Sequence, residues 1–315
     1  MEALTVAVLP ERGRPLLEAL LPEWIEARWW ASPEELVALA PEAEIGWFDL
    51  LDKDAPLRAM AAARKLRWLN TAFAGVDWLP LADFHERGVK LTCGRGLTAT
   101  AVAEWVVLSM LAVAKDYRAV ARAQDAREWL EAAPAVRELA GSRALVMGQG
   151  PIGQALGPML AGLGVEVVPV RRTASPGVLG MDEWKPRLGE FDWIVLALPG
   201  TTETRGLFGP PEFAAMKPEA VLVNFARADI VETDALVDAL RDHRIAAAVL
   251  DVTNPEPLPP DHPLWGIENA HITMHLSGIP SLASLKRGAE RFVRNCEHYR
   301  QGEPLEAEVD LLRGY

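Results

Sequence analysis

Three glycines set as G-x-G-x-x-G, directly behind an apolar stretch ending at Met147, constrain this chain more than any other feature of its sequence. Residues 144–147 read as a strand, and the residues behind the glycines read as a helix. At such a turn the first glycine, Gly148, permits a tight reversal, and the second, Gly150, lets backbone approach a pyrophosphate. The third, Gly153, lets helix and strand pack closely. The helix N-terminus adds N–H groups and partial positive charge that suit phosphate. Gly148, Gln149, Gly150, Pro151, Ile152 and Gly153 are therefore expected to bind a dinucleotide, provided the chain around them supplies the rest of a sheet.

Apolar segments at 165–170, 193–198, 221–224, 246–251 and 271–274 supply it, alternating with helical stretches. Six such strands make a doubly wound nucleotide-binding sheet. Upstream, residues 4–9, 44–48, 66–70 and 89–92 read as strands, and 12–21 and 55–63 as helices. The expected fold class is α/β, with two doubly wound parallel-sheet domains: a Rossmann cofactor domain and a flavodoxin-like substrate domain. Residues 97–117 read as one long helix, apolar enough to be a buried connector or a subunit interface. Residues 282–300 form a last helix beyond the second sheet.

Composition limits the partners. A length of 315 residues fits two ordinary domains. With 44 acidic and 32 basic side chains the net charge is -12, which disfavours nucleic acid and anionic membrane. An anionic small molecule needs only a local positive pocket and stays admissible. No apolar run reaches the length of a membrane span, and the start lacks a basic-then-apolar signal pattern. Cys93 and Cys296, far apart, suggest reduced thiols and a cytoplasmic protein rather than a disulfide framework or a cysteine metal site.

The strand ending at Val170 is followed by Arg171, Arg172 and Thr173. An NAD site usually places an acid there to accept from the ribose hydroxyls. A carboxylate would repel a 2′-phosphate, whereas an arginine pair forms charge-assisted bonds with it. NADP is therefore expected in preference to NAD, with NAD as the lesser alternative.

Further stretches carry a family resemblance over nearly the whole chain: Leu198-Pro199 through Thr201, Thr204 and Gly206-Leu207; Val223 to Arg227; Leu250-Asp251-Val252 with Glu256-Pro257-Leu258-Pro259; His271 to Gly278; and the ending Val309-Asp310 with Arg313-Gly314-Tyr315. Together with the glycine turn, this resembles the D-isomer-specific 2-hydroxyacid dehydrogenases. Within that family it is most similar to the NADP-linked glyoxylate/hydroxypyruvate reductases, through Arg171-Arg172 and the Asn254 to Pro260 loop. The resemblance implies a catalytic set of Arg227, Glu256 and His275. It also adds Leu198, Pro199, Thr204, Phe225, Ala226 and Asp251 to the cofactor residues, with Asp251 near the nicotinamide carboxamide. Substrate carboxylate is expected at the backbone amides of Ala74, Gly75 and Val76, and at Arg227 and His275.

The chemistry explains these residue types. Reducing a 2-keto acid takes a hydride to the carbonyl carbon and a proton to its oxygen. Imidazole is the natural proton donor near neutrality, and a neighbouring carboxylate, Glu256, favours its protonated form. A planar guanidinium suits a carboxylate and an adjoining carbonyl better than a lysine does. His271 competes with His275: on a strand both point to one face, so spacing does not choose, and motif position favours His275. A metal site is not expected, because the histidine pair lacks a helix and a third ligand.

The resemblance further implies a discontinuous substrate domain, 1–96 and 283–315, a cofactor domain at 97–282, an active site in the cleft between them, and a homodimer through the apolar connector helix. Glu104 is expected to make structural contacts from that helix. Two other classes share the scaffold. One is a nucleotide-sensing regulatory protein, which the intact Arg, Glu and His set argues against. The other is a formate, phosphite or phosphoglycerate dehydrogenase; formate enzymes carry glutamine where Glu256 stands. Three departures from the family pattern stand out: Ala228 follows Arg227 where glycine is usual, Trp105 stands where histidine is common, and Met274 where proline is common. Ala228 is tolerable only if the backbone there avoids positive φ.

Overall fold

In the computed structural model residues 4–314 are described. Tyr315, the end of the C-terminal motif, and the first three residues of the expected substrate domain lie outside them. The chain divides into two compact units, one running to Thr98 and resuming at Pro280, the other Ala99–Ile279.

The first unit carries β1 (Thr5–Pro10), β2 (Ile25–Trp30), β3 (Ile45–Trp47), β4 (Trp68–Asn70) and β5 (Lys90–Thr92), connected through α1 (Arg14–Leu17), α2 (Pro33–Leu39), α3 (Asp54–Ala62) and α4 (Leu81–Arg87). All pairings are parallel, in the order β2-β1-β3-β4-β5, which is the flavodoxin-like order. Side-chain alternation sorts β1 between two cores. Val8 joins Leu36, Met60 and Phe84 from α2, α3 and α4. Ala7 and Leu9 face Leu17, Phe292 and Cys296 on the other side.

The second unit opens with α5 (Ala99–Ala114) and α6 (Tyr117–Ala126). It continues through β6 (Arg143–Met147), α7 (Pro151–Gly162), β7 (Glu166–Val170), β8 (Trp193–Leu196), α8 (Pro210–Ala215), β9 (Val221–Asn224), α9 (Thr233–Arg241), β10 (Ala247–Leu250) and β11 (Ala270–Ile272). The sheet order is β11-β10-β9-β8-β6-β7, again parallel throughout. After β6 the chain goes to one side for β7 and to the other for β8, so the C-terminal end of β6 is the switch point where such sheets bind ligands. Parity again divides the strands. Ala144, Val146, Val195 and Val223 pack under α5 and α7, while Leu145, Met147, Leu196 and Leu222 pack with Trp184, Phe208 and Leu240. The chain then returns to the first unit as α10 (Leu282–Gln301), whose Phe292 stacks on Trp68 at 5.0 Å.

Several expectations are corrected. The 97–117 helix is two helices, α5 and α6. Asp116 adopts φ 43°, a left-handed conformation that Asp tolerates, and its carboxylate accepts from Ala119 N to start α6. The helix expected at 12–21 is only a 3-10 turn and α1. The strand expected at 271–274 is β11, which stops at Ile272, so His275 lies outside it and the two-histidine face does not exist. β2, α2 and α4 went unread. α5 buries Val102, Val106 and Met110 while leaving Leu108 and Leu111 exposed, which explains an apolar surface all round. Glu104 is exposed on α5.

Candidate active site

The glycine turn has the geometry its three positions require. Gly148 sits at φ +110°, and a Cβ there would overlap the Ala197 carbonyl behind β8. A Cβ on Gly153 would overlap the Gly148 carbonyl, so α7 approaches β6 as closely as backbone allows. Gly150 differs: it caps α7 at an ordinary φ of -71°, and nothing lies within 4 Å of where its Cβ would be. That open side, with the first-turn amides of a twelve-residue helix behind it, fits a pyrophosphate. Pro151 at the first helical position gives up an N–H that the helix does not use.

At the end of β7, Arg171 N donates to Leu179 O at 3.0 Å. The Arg171 Nε donates to Thr173 O at 2.6 Å. Arg172 pairs with Glu203 at 3.1 Å, and Arg171, Arg172, Thr173 and Glu203 are all exposed. Behind β8, Thr204 Oγ1 donates to Pro199 O at 2.8 Å and accepts from Thr201 N at 2.8 Å, closing the loop from Leu198. Phe225 and Ala226, just past β9, are buried.

Arg227, Glu256 and His275 follow three neighbouring strands. Asn224, Leu250 and Ile272, which end β9, β10 and β11, are aligned across parallel pairs, so the residues beyond them emerge at one edge of the sheet. Buried Asn224 sets the first exit. Its amide nitrogen donates to Arg227 O at 3.0 Å and its amide oxygen accepts from Ala226 N at 3.0 Å. Gly200 leaves room for the arginine stem, since a Cβ there would lie 2.8 Å from Arg227 Cγ. Ala228 begins a 3-10 turn and is not among the positive-φ residues, which is why alanine is accommodated.

The third exit is a left-handed turn. Met274 and His275 have φ of 54° and 56°, values proline cannot adopt, so the Met274 departure matches the backbone found. Asp251, 3% exposed, organises this turn. Its carbonyl accepts from His275 N at 2.6 Å. Its carboxylate accepts from Thr273 Oγ1 at 2.6 Å, from Ser277 N at 3.4 Å and from Ser277 Oγ in a short bond. The side chain expected near a carboxamide is thus engaged with the histidine turn. From there His275 Nδ1 meets Glu256 Oε1 at 2.6 Å, both side chains about half exposed. An ionised carboxylate only accepts, so Nδ1 carries the hydrogen and Nε2 faces away from the pair.

His271 stands elsewhere. It lines a cavity of about 670 Å³ with Asp116, Arg137 and Arg241. Burial, then Arg118 and Arg122, push its pKa down, with Asp116 opposing. In the first unit, Ala74, Gly75 and Val76 follow β4, and their backbone amides donate to no acceptor among the described residues. Also among the described residues, no His, Cys, Asp or Glu cluster could hold a metal, and no helix is long and apolar enough to cross a membrane. Asn224 and Ser277 were missed at the sequence level, because neither type announces a clamp without the turn it closes.

Comparison with known proteins follows this geometry. Residues 107–277 match the model of the D-isomer specific 2-hydroxyacid dehydrogenase NAD binding domain. A glyoxylate reductase of Thermofilum pendens is 30% identical over 94% of this chain and 90% of its own. The structure of a D-isomer specific 2-hydroxyacid dehydrogenase family protein from Aeromonas salmonicida superposes with a TM-score of 0.87 at 30% identity, covering 98% of this chain and 100% of that one. A D-isomer specific 2-hydroxyacid dehydrogenase of Xanthobacter autotrophicus Py2, in complex with NADPH and MES, gives 0.80 at 29% identity, covering 99% and 100%.

The three glycines separate two properties that are usually confounded. Gly153→Ala is expected to lower stability by about 1–3 kcal/mol, because backbone rather than a flexible side chain blocks the methyl group. Gly150→Ala is expected to leave the melting temperature nearly unchanged and to weaken dinucleotide binding. Thermal melts and NADPH titrations of the two variants check this; equal effects of both on stability would contradict it.

Proposed function

This chain belongs to the D-isomer-specific 2-hydroxyacid dehydrogenase family, whose members are NAD(P)-dependent oxidoreductases, and we propose that it reduces a small 2-keto acid with NADPH, glyoxylate to glycolate or hydroxypyruvate to the D-hydroxy acid. The observation that carries this reading is the 2.6 Å bond between His275 and Glu256 at the edge from which Arg227 also emerges.

When bound, the nicotinamide supplies the hydride for the carbonyl carbon. His275 hands a proton from Nε2 to the carbonyl oxygen, completing the alcohol, and is left neutral with Nδ1–H still on Glu256. Glu256 fixes the ring's orientation and tautomer. Arg227 holds the keto acid's carboxylate and polarises its carbonyl. The amides of Ala74, Gly75 and Val76 are assigned to a substrate carboxylate, supported by their lack of internal acceptors. In the oxidative direction neutral His275 accepts the alcohol proton.

NADP preference rests on Arg171 and Arg172. The Arg172–Glu203 pair is exposed, of the kind worth under about 1 kcal/mol, so a phosphate dianion displaces it readily. The glycine turn serves the pyrophosphate, and the loops at Leu198–Thr204 and Phe225–Ala226 line the remainder of the cofactor site. A homodimer is supported by side chains left in water on α5, α6 and the loop after α6: Leu108 54%, Tyr117 61% and Trp129 93% exposed. Two buried free thiols support a cytoplasmic setting.

Three measurements check these statements. NADPH oxidation followed by absorbance is expected with glyoxylate or hydroxypyruvate; no turnover with any small 2-keto acid would refute the proposed reaction. Replacing Arg171 and Arg172 by alanine is expected to raise KM for NADPH by about tenfold or more and to move KM for NADH far less; equal shifts would remove the basis for NADP preference. Light scattering is expected to return twice the chain's mass, and a monomer would exclude the dimer.

A further inference from the structure

Asp49, just past β3, is 2% exposed and in no motif. Its Oδ1 accepts from Thr71 Oγ1 at 2.6 Å, and its Oδ2 accepts from Ala72 N at 2.6 Å and from Trp47 Nε1 at 2.7 Å. Three donors of this kind match an ionised carboxylate. Two of them belong to the backbone entry into residues 74–76. Thr71 Oγ1 in turn accepts from Phe73 N at 3.1 Å, so the clamp passes through Thr71 to the residue before Ala74. On the far side Gly94 N donates to Phe73 O at 2.8 Å, and a Cβ on Gly94 would overlap Ala72 O. The entry is held from both sides while the next three amides make no internal bond.

A buried anion beside a turn meant for an anion needs a counter-charge. Arg12 acts on that charge, its guanidinium donating to Asp49 O at 2.7 Å, and Lys53, just before α3, stands at the flank of the turn. Its Nζ lies 3.9 Å from the centre of the Phe73 ring and 4.3 Å from that of Trp78, and donates to Leu50 O at 2.9 Å. Phe73 and Trp78 bracket the turn and meet edge to face. Burial pushes the Asp49 carboxyl up, with Thr71, Ala72, Trp47 and Arg12 pulling the other way. Burial lowers Lys53, and Asp49 opposes that.

We propose that Asp49 and Lys53 are positioning residues for substrate: Asp49 fixes the backbone that presents the amides of Ala74, Gly75 and Val76 to a carboxylate, and Lys53 clasps the turn's aromatic flanks. The proposal rests on the assignment of those amides to the substrate carboxylate. It implies recognition by a preformed turn, so the ordering cost is met on folding rather than on binding.

The test combines kinetics with hydrogen exchange on the full chain. In Asp49→Asn, one of the three donors faces an amide nitrogen. KM for glyoxylate is expected to rise about tenfold, kcat to change much less, and KM for NADPH to stay put. Amides 72–76 are expected to exchange faster. Lys53→Met is expected to raise KM for glyoxylate, and Lys53→Arg to restore it, since guanidinium also stacks on aromatic rings. Should Asp49→Asn not fold, Thr71→Val removes one link of the same clamp and is expected to shift the same two readouts in the same directions. An unchanged KM, or equal losses in KM for keto acid and for NADPH, overturns the proposal, as does faster exchange without a KM change. If the wild type reduces no keto acid, the proposed function fails, whereas unaltered exchange at 72–76 in Asp49→Asn refutes the clamp independently.

Discussion

The 2.6 Å contact between His275 Nδ1 and Glu256 Oε1 is where the architecture of the second unit converges. It depends on parallel pairing. Strands about 4.8 Å apart and running the same way deliver their following loops to one edge, and β9, β10 and β11 are the three neighbours that do so for Arg227, Glu256 and His275. No single loop could bring these residues together, since they lie far apart in sequence. The sheet delivers all three to one edge, and two local clamps finish the placement: Asn224 on the Arg227 exit and Asp251 on the left-handed turn of His275.

The same logic governs the other end of that sheet. Gly148 and Gly153 are needed because backbone meets backbone there, whereas the space beside Gly150 is open, as the proposed pyrophosphate site requires. The protein as a whole is acidic, yet the groups that face the proposed anions are local and positive: the N-terminus of α7, Arg171 with Arg172, and Arg227. Net charge describes the surface and does not predict the pocket.

Much of this was legible in the sequence, for physical reasons. The glycine run and six apolar segments of strand length left little choice about the second sheet, and the motifs named the residues at its edge. What escaped depends on partners distant in sequence. β2 carries Glu26 and Arg28 ahead of Trp29 and Trp30 because it is a sheet edge, so it lacks the continuous apolar pattern of a central strand. Asp116 breaks the apolar run of α5 through a φ value that composition does not reveal. The face-sharing argument for His271 and His275 failed because β11 ends one residue after His271, and no breaker residue marks that end. Asp49, Asn224 and Ser277 are ordinary residue types whose roles emerge only when the turns they fasten are seen.

The central claim is that His275 and Glu256 act as one proton-donating unit. A double-mutant cycle on kcat/KM for NADPH-linked glyoxylate reduction tests it directly, using His275→Ala, Glu256→Gln and both together. The account predicts a loss of about two orders of magnitude or more in His275→Ala, and almost no further loss when Glu256→Gln is added. Multiplying losses, or full turnover without the imidazole, would contradict it.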